Sequence, residues 1–150
     1  GVVHDLATGT TYWGQRGGGA FRDGQRLRTR PWESRKELLF LNLGRHATPR
    51  VVAWASRARR VRSLGCASLE MLAVAQGGAD AYLFENDVEE RNLRVTDVAA
   101  AYRIVLEAGG GVTAVGGAPI ESLPLSLESH TSVFAFADAR MREAAEKEVA

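Results

Sequence analysis

The chain has 150 residues, 45 % of them apolar and 25 % charged, with a formal net charge of +1. That length allows about 70 % of the unfolded surface to be buried, and the composition is that of a soluble globular protein. The near-neutral charge gives no electrostatic drive towards nucleic acid, no apolar run approaches the ~20 residues of a membrane span, and the one cysteine, Cys66, excludes an internal disulfide and suits a reducing cytoplasm.

Residues 1–28 are predicted as antiparallel strands. Gly1-Val2-Val3-His4 runs into a turn at 5–9, and Thr10 to Gln15 returns with β-branched and aromatic residues. Asp23-Gly24, between Ala20-Phe21-Arg22 and Gln25 to Arg28, is a two-residue hairpin signal. Gly17-Gly18-Gly19 invites a phosphate-loop reading, but neither Lys-Ser/Thr nor a helix follows, so a strand connection is expected. Residues 29–37, with Pro31 and mixed charge, read as a linker.

The run Leu38 to Leu43 suits a strand buried on both faces. A helix is expected over 50–60 with Val51, Val52 and Trp54 inward, and Arg57, Arg59, Arg60 and Arg62 form a basic cluster near its end. That cluster reads as a solvated helix end ahead of a phosphate or subunit contact. A short strand at 61–65 leads through Cys66-Ala67-Ser68 into a helix with Leu69, Leu72, Ala73 and Gln76 in period, which stops at Gly77-Gly78. Ala81 to Phe84 is the next strand, followed by an acidic loop with Glu85, Asp87, Glu89 and Glu90.

Leu93 and Val95 end an extended segment, and an Ala-rich helix runs to the glycines 109–111. Thr96 or Asp97 is placed to cap that helix, and Asp97 is also placed to aim a carboxylate from a rigid element at a metal. Strands follow at 112–115 and 132–136, with Asp138 capping a final helix to Val149. Strands alternating with helices from Leu38 onwards imply an α/β layered core. Cys66 reads as a small buried apolar residue in a tight turn. His4, His46 and His130 have no metal-ligand spacing.

Two stretches carry a family resemblance. Thr96-Asp97-Val98-Ala99-Ala100 with Glu107-Ala108-Gly109-Gly110 resembles the last metal-ligand motif of the inositol monophosphatase superfamily, which includes the archaeal fructose-1,6-bisphosphatases. Gly65-Cys66-Ala67-Ser68-Leu69-Glu70, with Gly78-Ala79-Asp80-Ala81-Tyr82 downstream, resembles the segment that lines its substrate pocket. The opening hairpins are similar to those after the family's first metal motif. Thr96 stands where many members carry Trp, as in the archaeal branch.

The resemblance implies an α+β layered sandwich of the sugar-phosphatase type. Residues 1–30 would be hairpins of the metal-site domain, and 31–150 the C-terminal α/β domain on the substrate side. It implies Mg²⁺ as cofactor, Asp97 as a metal ligand, and Gly65, Cys66 and Ala67 against an inositol or sugar phosphate. An acidic residue before the last ligand meets substrate hydroxyls in the family; Glu90 is the first choice and Glu85 the second. The family's Asp-Pro-x-Asp-Gly-Thr motif has no counterpart in the chain. The chain is therefore expected to be the C-terminal portion of a truncated, nicked or split phosphate monoester hydrolase, inactive alone, and a cytoplasmic homodimer with neither nucleic-acid nor membrane partners. The alternatives are a non-catalytic binding or subunit-contact module and a nucleic-acid-binding domain using the Arg57 to Arg62 cluster, the latter disfavoured by the charge.

Overall fold

β1 (Val2–Asp5), β2 (Thr10–Gln15), β3 (Gly19–Arg22) and β4 (Gln25–Arg26) pair in chain order as an antiparallel sheet. In this computed structural model, which describes residues 1–149, the turn between β3 and β4 is Asp23-Gly24 with both residues at positive φ, 45° and 82°. That is the conformation a two-residue hairpin needs to match the strand twist. The Asp23 carboxylate accepts from the N–H of Thr11 at 2.9 Å and so ties the turn to β2.

The second sheet is mixed. β5 (Leu38–Leu41), β6 (Arg60–Arg62), β7 (Ala81–Phe84), β9 (Gly111–Thr113) and β11 (Val133–Phe136) lie in the order β6-β5-β7-β11-β9, with β5 parallel to β6 and β7. β11 runs antiparallel to both its neighbours. Two short strands, β8 (Leu93–Arg94) and β10 (His130–Thr131), pair separately.

The period-2 alternation of side chains divides the apolar residues of the second sheet between two cores. Phe40, Tyr82, Val112, Val133 and Ala135 face α2 (Ala67–Ala75) and α3 (Val95–Glu107), and the same core takes in Tyr12 and Ala20 of the first sheet. Leu39, Leu41, Ala81, Leu83, Phe134 and Phe136 face α1 (Pro49–Arg57) and Met141 of α4 (Ala139–Val149). The layers are thus sheet, helix pair, sheet, helix pair, in agreement with the expected α/β sandwich. Each fully buried Leu, Ile or Met in these cores contributes roughly 1.5–3 kcal/mol.

Two glycines make the packing possible. A Cβ on Gly14 would lie 3.1 Å from the Ile104 Cα, so β2 approaches α3 by backbone. A Cβ on Gly111 would sit 2.3 Å from the Phe136 ring.

Several local expectations are corrected. β5 ends at Leu41, and Leu43 is exposed. α1 begins where Thr48 caps it, with Pro49 in the first turn, but it stops at Arg57 because Arg60 already pairs with Leu38. Val51 and Trp54 are buried, whereas Val52 is on the outer face, 51 % exposed. In α2 the buried set is Glu70, Met71, Leu72, Val74 and Ala75, because the helix lies between two sheets, and Gln76 is exposed. Arg57, Arg59, Arg60 and Arg62 are all exposed, and Arg60 and Arg62 lie on an edge strand. Charged side chains there discourage pairing with another sheet.

The linker over 29–37 is tied down by acidic side chains. Asp80 pairs with the Arg30 guanidinium and accepts from the N–H of Leu38 at 2.7 Å. Asp138 accepts from the N–H of Trp32 at 3.1 Å and of Arg140 at 3.0 Å, which makes it the expected cap of α4. The Arg140 guanidinium holds the Asp138 carboxyl well below the usual range.

Candidate functional site

Asp97 lies in the first turn of α3, directly after β8, which is held by its pairing with β10. The strand-to-helix handover is as expected, but the capping role is not. Arg94 occupies the cap position without a side-chain cap bond, and the N–H of Val95 donates to the Ser129 carbonyl at 2.9 Å. Asp97 stands further into the turn and is exposed, and among the described residues its carboxylate has no hydrogen-bond or ion-pair partner. A carboxylate at a helix start is favoured by the N–H groups and dipole of that first turn.

The second motif is beside it. Gly65 has φ of 75°, and the space a Cβ would fill there is open, with no heavy atom within 4 Å. Backbone conformation, and not crowding, therefore calls for glycine at this position. Cys66 takes the cap position of α2, and Ala67 opens the helix. Cys66 is exposed, not the buried filler expected. Its side chain makes no cap bond, which leaves the first N–H groups of α2 without a side-chain acceptor from it. The Ser68 hydroxyl donates to the Asp97 carbonyl at 2.6 Å, so the first turns of α2 and α3 lie together.

The second motif contains Glu70 without indicating its role. This residue is 3 % exposed, and its Oε1 accepts from the N–H groups of Leu64 at 2.6 Å and Gly65 at 3.4 Å. Burial pushes its carboxyl up, against those two donors. Burial also raises the Tyr82 phenol, with the Glu70 carboxylate adding to the shift. Glu70 therefore holds the turn that presents Gly65, Cys66 and Ala67.

Glu107, of the Glu-Ala-Gly-Gly stretch, accepts from the N–H groups of Gly17 and Gly19, each at 3.1 Å. Those two donors hold its carboxyl below the usual range, helped by Arg103. The glycine run thus cradles a carboxylate from its own chain in place of a phosphate. Residues so far apart in sequence form no local pattern, so nothing in the sequence announced these bonds.

The acidic loop separates its members. Glu85 accepts from the Thr48 hydroxyl at 2.6 Å and faces Arg50 at 3.7 Å, which commits it to the start of α1. Asp87 meets the His46 ring at 3.1 Å. Glu90 lies exposed in a single 3₁₀ turn, Glu89–Arg91, just before β8. Among the described residues no three His, Cys, Asp or Glu side chains converge as a metal site. Asp97 offers the hard oxygen donors a divalent cation takes, but one carboxylate does not close a site.

The model of the inositol monophosphatase family matches residues 1–149. The chain belongs to that family. The match bears out the resemblance carried by the motifs around Gly65 and Asp97. The fructose-1,6-bisphosphatase/inositol-1-monophosphatase of Methanothermobacter thermautotrophicus is 37 % identical over 147 residues, 95 % of this chain and 50 % of that protein. Human inositol monophosphatase 1 is 37 % identical over 131 residues, 81 % of this chain and 45 % of that one. The crystal structure of inositol monophosphate-bound SaIMPase-II matches with a TM-score of 0.81 at 21 % identity, over 97 % of this chain and 54 % of that one. At that identity the likeness is one of fold. The chain spans about half the length of the curated relatives it matches. No helix among the described residues is long and apolar enough to cross a membrane.

Proposed function

We propose that this inositol monophosphatase-family chain acts as the C-terminal portion of a Mg²⁺-dependent phosphate monoester hydrolase for inositol or sugar phosphates, in a cytoplasmic homodimer. Residues 1–30 belong in this reading to the metal-site domain, and 31–150 to the substrate-side domain. The observation that carries the reading is the carboxylate of Asp97, which has no partner among the described residues and whose backbone carbonyl accepts from Ser68 in the helix that begins at Ala67, directly after Gly65 and Cys66. Asp97 is then one metal ligand. The first turn of α2 directs N–H groups at the substrate's anionic and hydroxyl oxygens, and Glu90 accepts from a substrate hydroxyl. A hard divalent ion supplies charge stabilisation and water activation in such hydrolysis. The remaining ligands come, in this reading, from residues outside this chain.

A second reading rests on the finding that, among the described residues, Asp97 joins no group of metal-ligating side chains: a non-catalytic binding or subunit-contact module built on the same fold. One experiment separates the two. The upstream half of a family member is supplied in cis or as a separate chain, and inositol monophosphate hydrolysis is followed with and without Mg²⁺. The expected result is no hydrolysis by the chain alone, Mg²⁺-dependent hydrolysis by the pair, and loss of that activity in Asp97→Asn with the fold intact. Robust hydrolysis by the isolated chain, or a restored enzyme indifferent to Asp97→Asn, overturns the assignment. A well-assembled but inactive pair supports the module.

A further inference from the structure

On the face of the second sheet opposite α2 and α3, the end of the linker meets α1 around a cavity of about 470 Å³. Its walls include Trp32, Leu39 and Trp54, and the charged residues Arg35, Glu37 and Arg57 also line it. The volume falls within the range of small-molecule sites, and so does the pattern of apolar walls with a few polar groups.

Glu37 is 8 % exposed. Its Oε1 accepts from Trp32 Nε1–H at 3.2 Å and from the N–H of Arg35 at 2.8 Å. Its Oε2 is buried and meets no donor among the described residues. A buried carboxylate oxygen without a donor is costly, and the cavity that Glu37 lines is where a donor can arrive. The backbone beneath it is strained as well. Arg35 has φ of 65°, the left-handed region that a non-glycine residue adopts at a cost. That conformation aims its N–H at Glu37, and the residue itself is exposed beside the cavity.

We infer that this cavity is a second ligand site, separate from the phosphatase face, that takes a small zwitterion of the amino-acid class. An ammonium is the strongest donor for the unmet Glu37 carboxylate, and walls that include the indoles of Trp32 and Trp54 suit a cation next to an apolar side chain. A simple amine would leave its other end facing Arg35, and a simple anion would face Glu37. A molecule carrying both charges satisfies both groups, with its carboxylate on the guanidinium.

Calorimetric titration of the chain with phenylalanine and with leucine tests this, with tryptophan fluorescence as a second readout. The controls are 2-phenylethylamine and 3-phenylpropionate, each lacking one charge of phenylalanine. Saturable binding of a zwitterion is expected, with both controls at least tenfold weaker. Glu37→Gln keeps an acceptor for Trp32 and Arg35 and removes the charge, and Arg35→Gly relieves the positive φ while removing the guanidinium. Each should weaken binding at least tenfold while circular dichroism stays unchanged. If Glu37→Gln fails to fold, Arg35→Gly decides. Absence of saturable binding by both amino acids, equal binding of either control, or unaltered affinity in the folded variants overturns the inference.

Discussion

The Ser68 hydroxyl donates to the backbone carbonyl of Asp97 at 2.6 Å, a bond between the first turns of two helices, spanning 29 residues of sequence. It connects the two stretches that carry the family resemblance and holds the Asp97 backbone beside the start of α2. Replacing Ser68 with Ala removes one side-chain donor but leaves the carbonyl inside its helix. The expected loss is about 0.5–1 kcal/mol in urea denaturation. In the reconstituted enzyme, activity should fall more than stability does, because the carboxylate loses its reference point. Unchanged turnover in Ser68→Ala would mean the bond does not position the site.

Asp97→Asn should barely alter stability. The carboxylate bonds to no described residue, so the change removes only its interaction with the helix start, below about 1 kcal/mol for an exposed group. Thermal melts of the two chains, with and without Mg²⁺, measure this. A large loss of stability without metal would assign Asp97 a structural role instead.

Gly111→Ala should be among the more damaging single-methyl changes. The added Cβ would meet the Phe136 ring at 2.3 Å, inside a core that cannot yield easily. Overpacking of this kind costs about 1–3 kcal/mol. Chemical denaturation checks it, and the double variant Gly111→Ala/Phe136→Leu should recover part of the loss.

The buried Glu70 gives a pH dependence of definite sign. Its carboxyl is raised by burial, so the folded chain holds that proton more tightly than the unfolded chain does. Its contribution to stability therefore falls as pH rises from the ordinary glutamate value, about 4.3, through the raised folded value. Glu70→Gln keeps an oxygen acceptor for Leu64 and loses the titration. The variant should lose less stability than the parent between about pH 4 and pH 7. Superimposable pH profiles would show that Glu70 does not titrate in this way.

The outer face of the first sheet bears on self-association. Register places Val2 opposite Trp13 and Trp13 opposite Phe21, and the two aromatic rings stack at 4.4 Å. Val2 is 65 % exposed and Trp13 37 %. A contiguous apolar row of this kind is suited to a contact between chains. Sedimentation should give a dimer at micromolar concentration, shifted towards monomer in Trp13→Thr. A compact monomer of the parent chain would refute the homodimer.

What the sequence by itself determined was whatever depends on neighbours along the chain. Asp23-Gly24 prescribes its hairpin because few residues accept its two positive φ angles. The apolar runs beginning near Leu38, Ala81 and Val133 prescribe buried strands, and Asp138 prescribes the start of α4. The motifs around Gly65 and Asp97 were legible as a family resemblance for the same reason, since each is a short local pattern. Only the tertiary structure decided what those residues touch. It took Thr96 and Asp97 out of the capping role, because the Ser129 carbonyl receives the N–H of Val95 from a distant loop. The exposure of Cys66, the outward turn of Val52 and the commitment of Glu85 to Thr48 follow from the packing of layers remote in sequence. The same holds for Glu107 closing on Gly17 and Gly19, about 90 residues away. Side-chain periodicity tells which face of an element is apolar, but the partner of a buried carboxylate is set by three-dimensional proximity, and no local pattern encodes it.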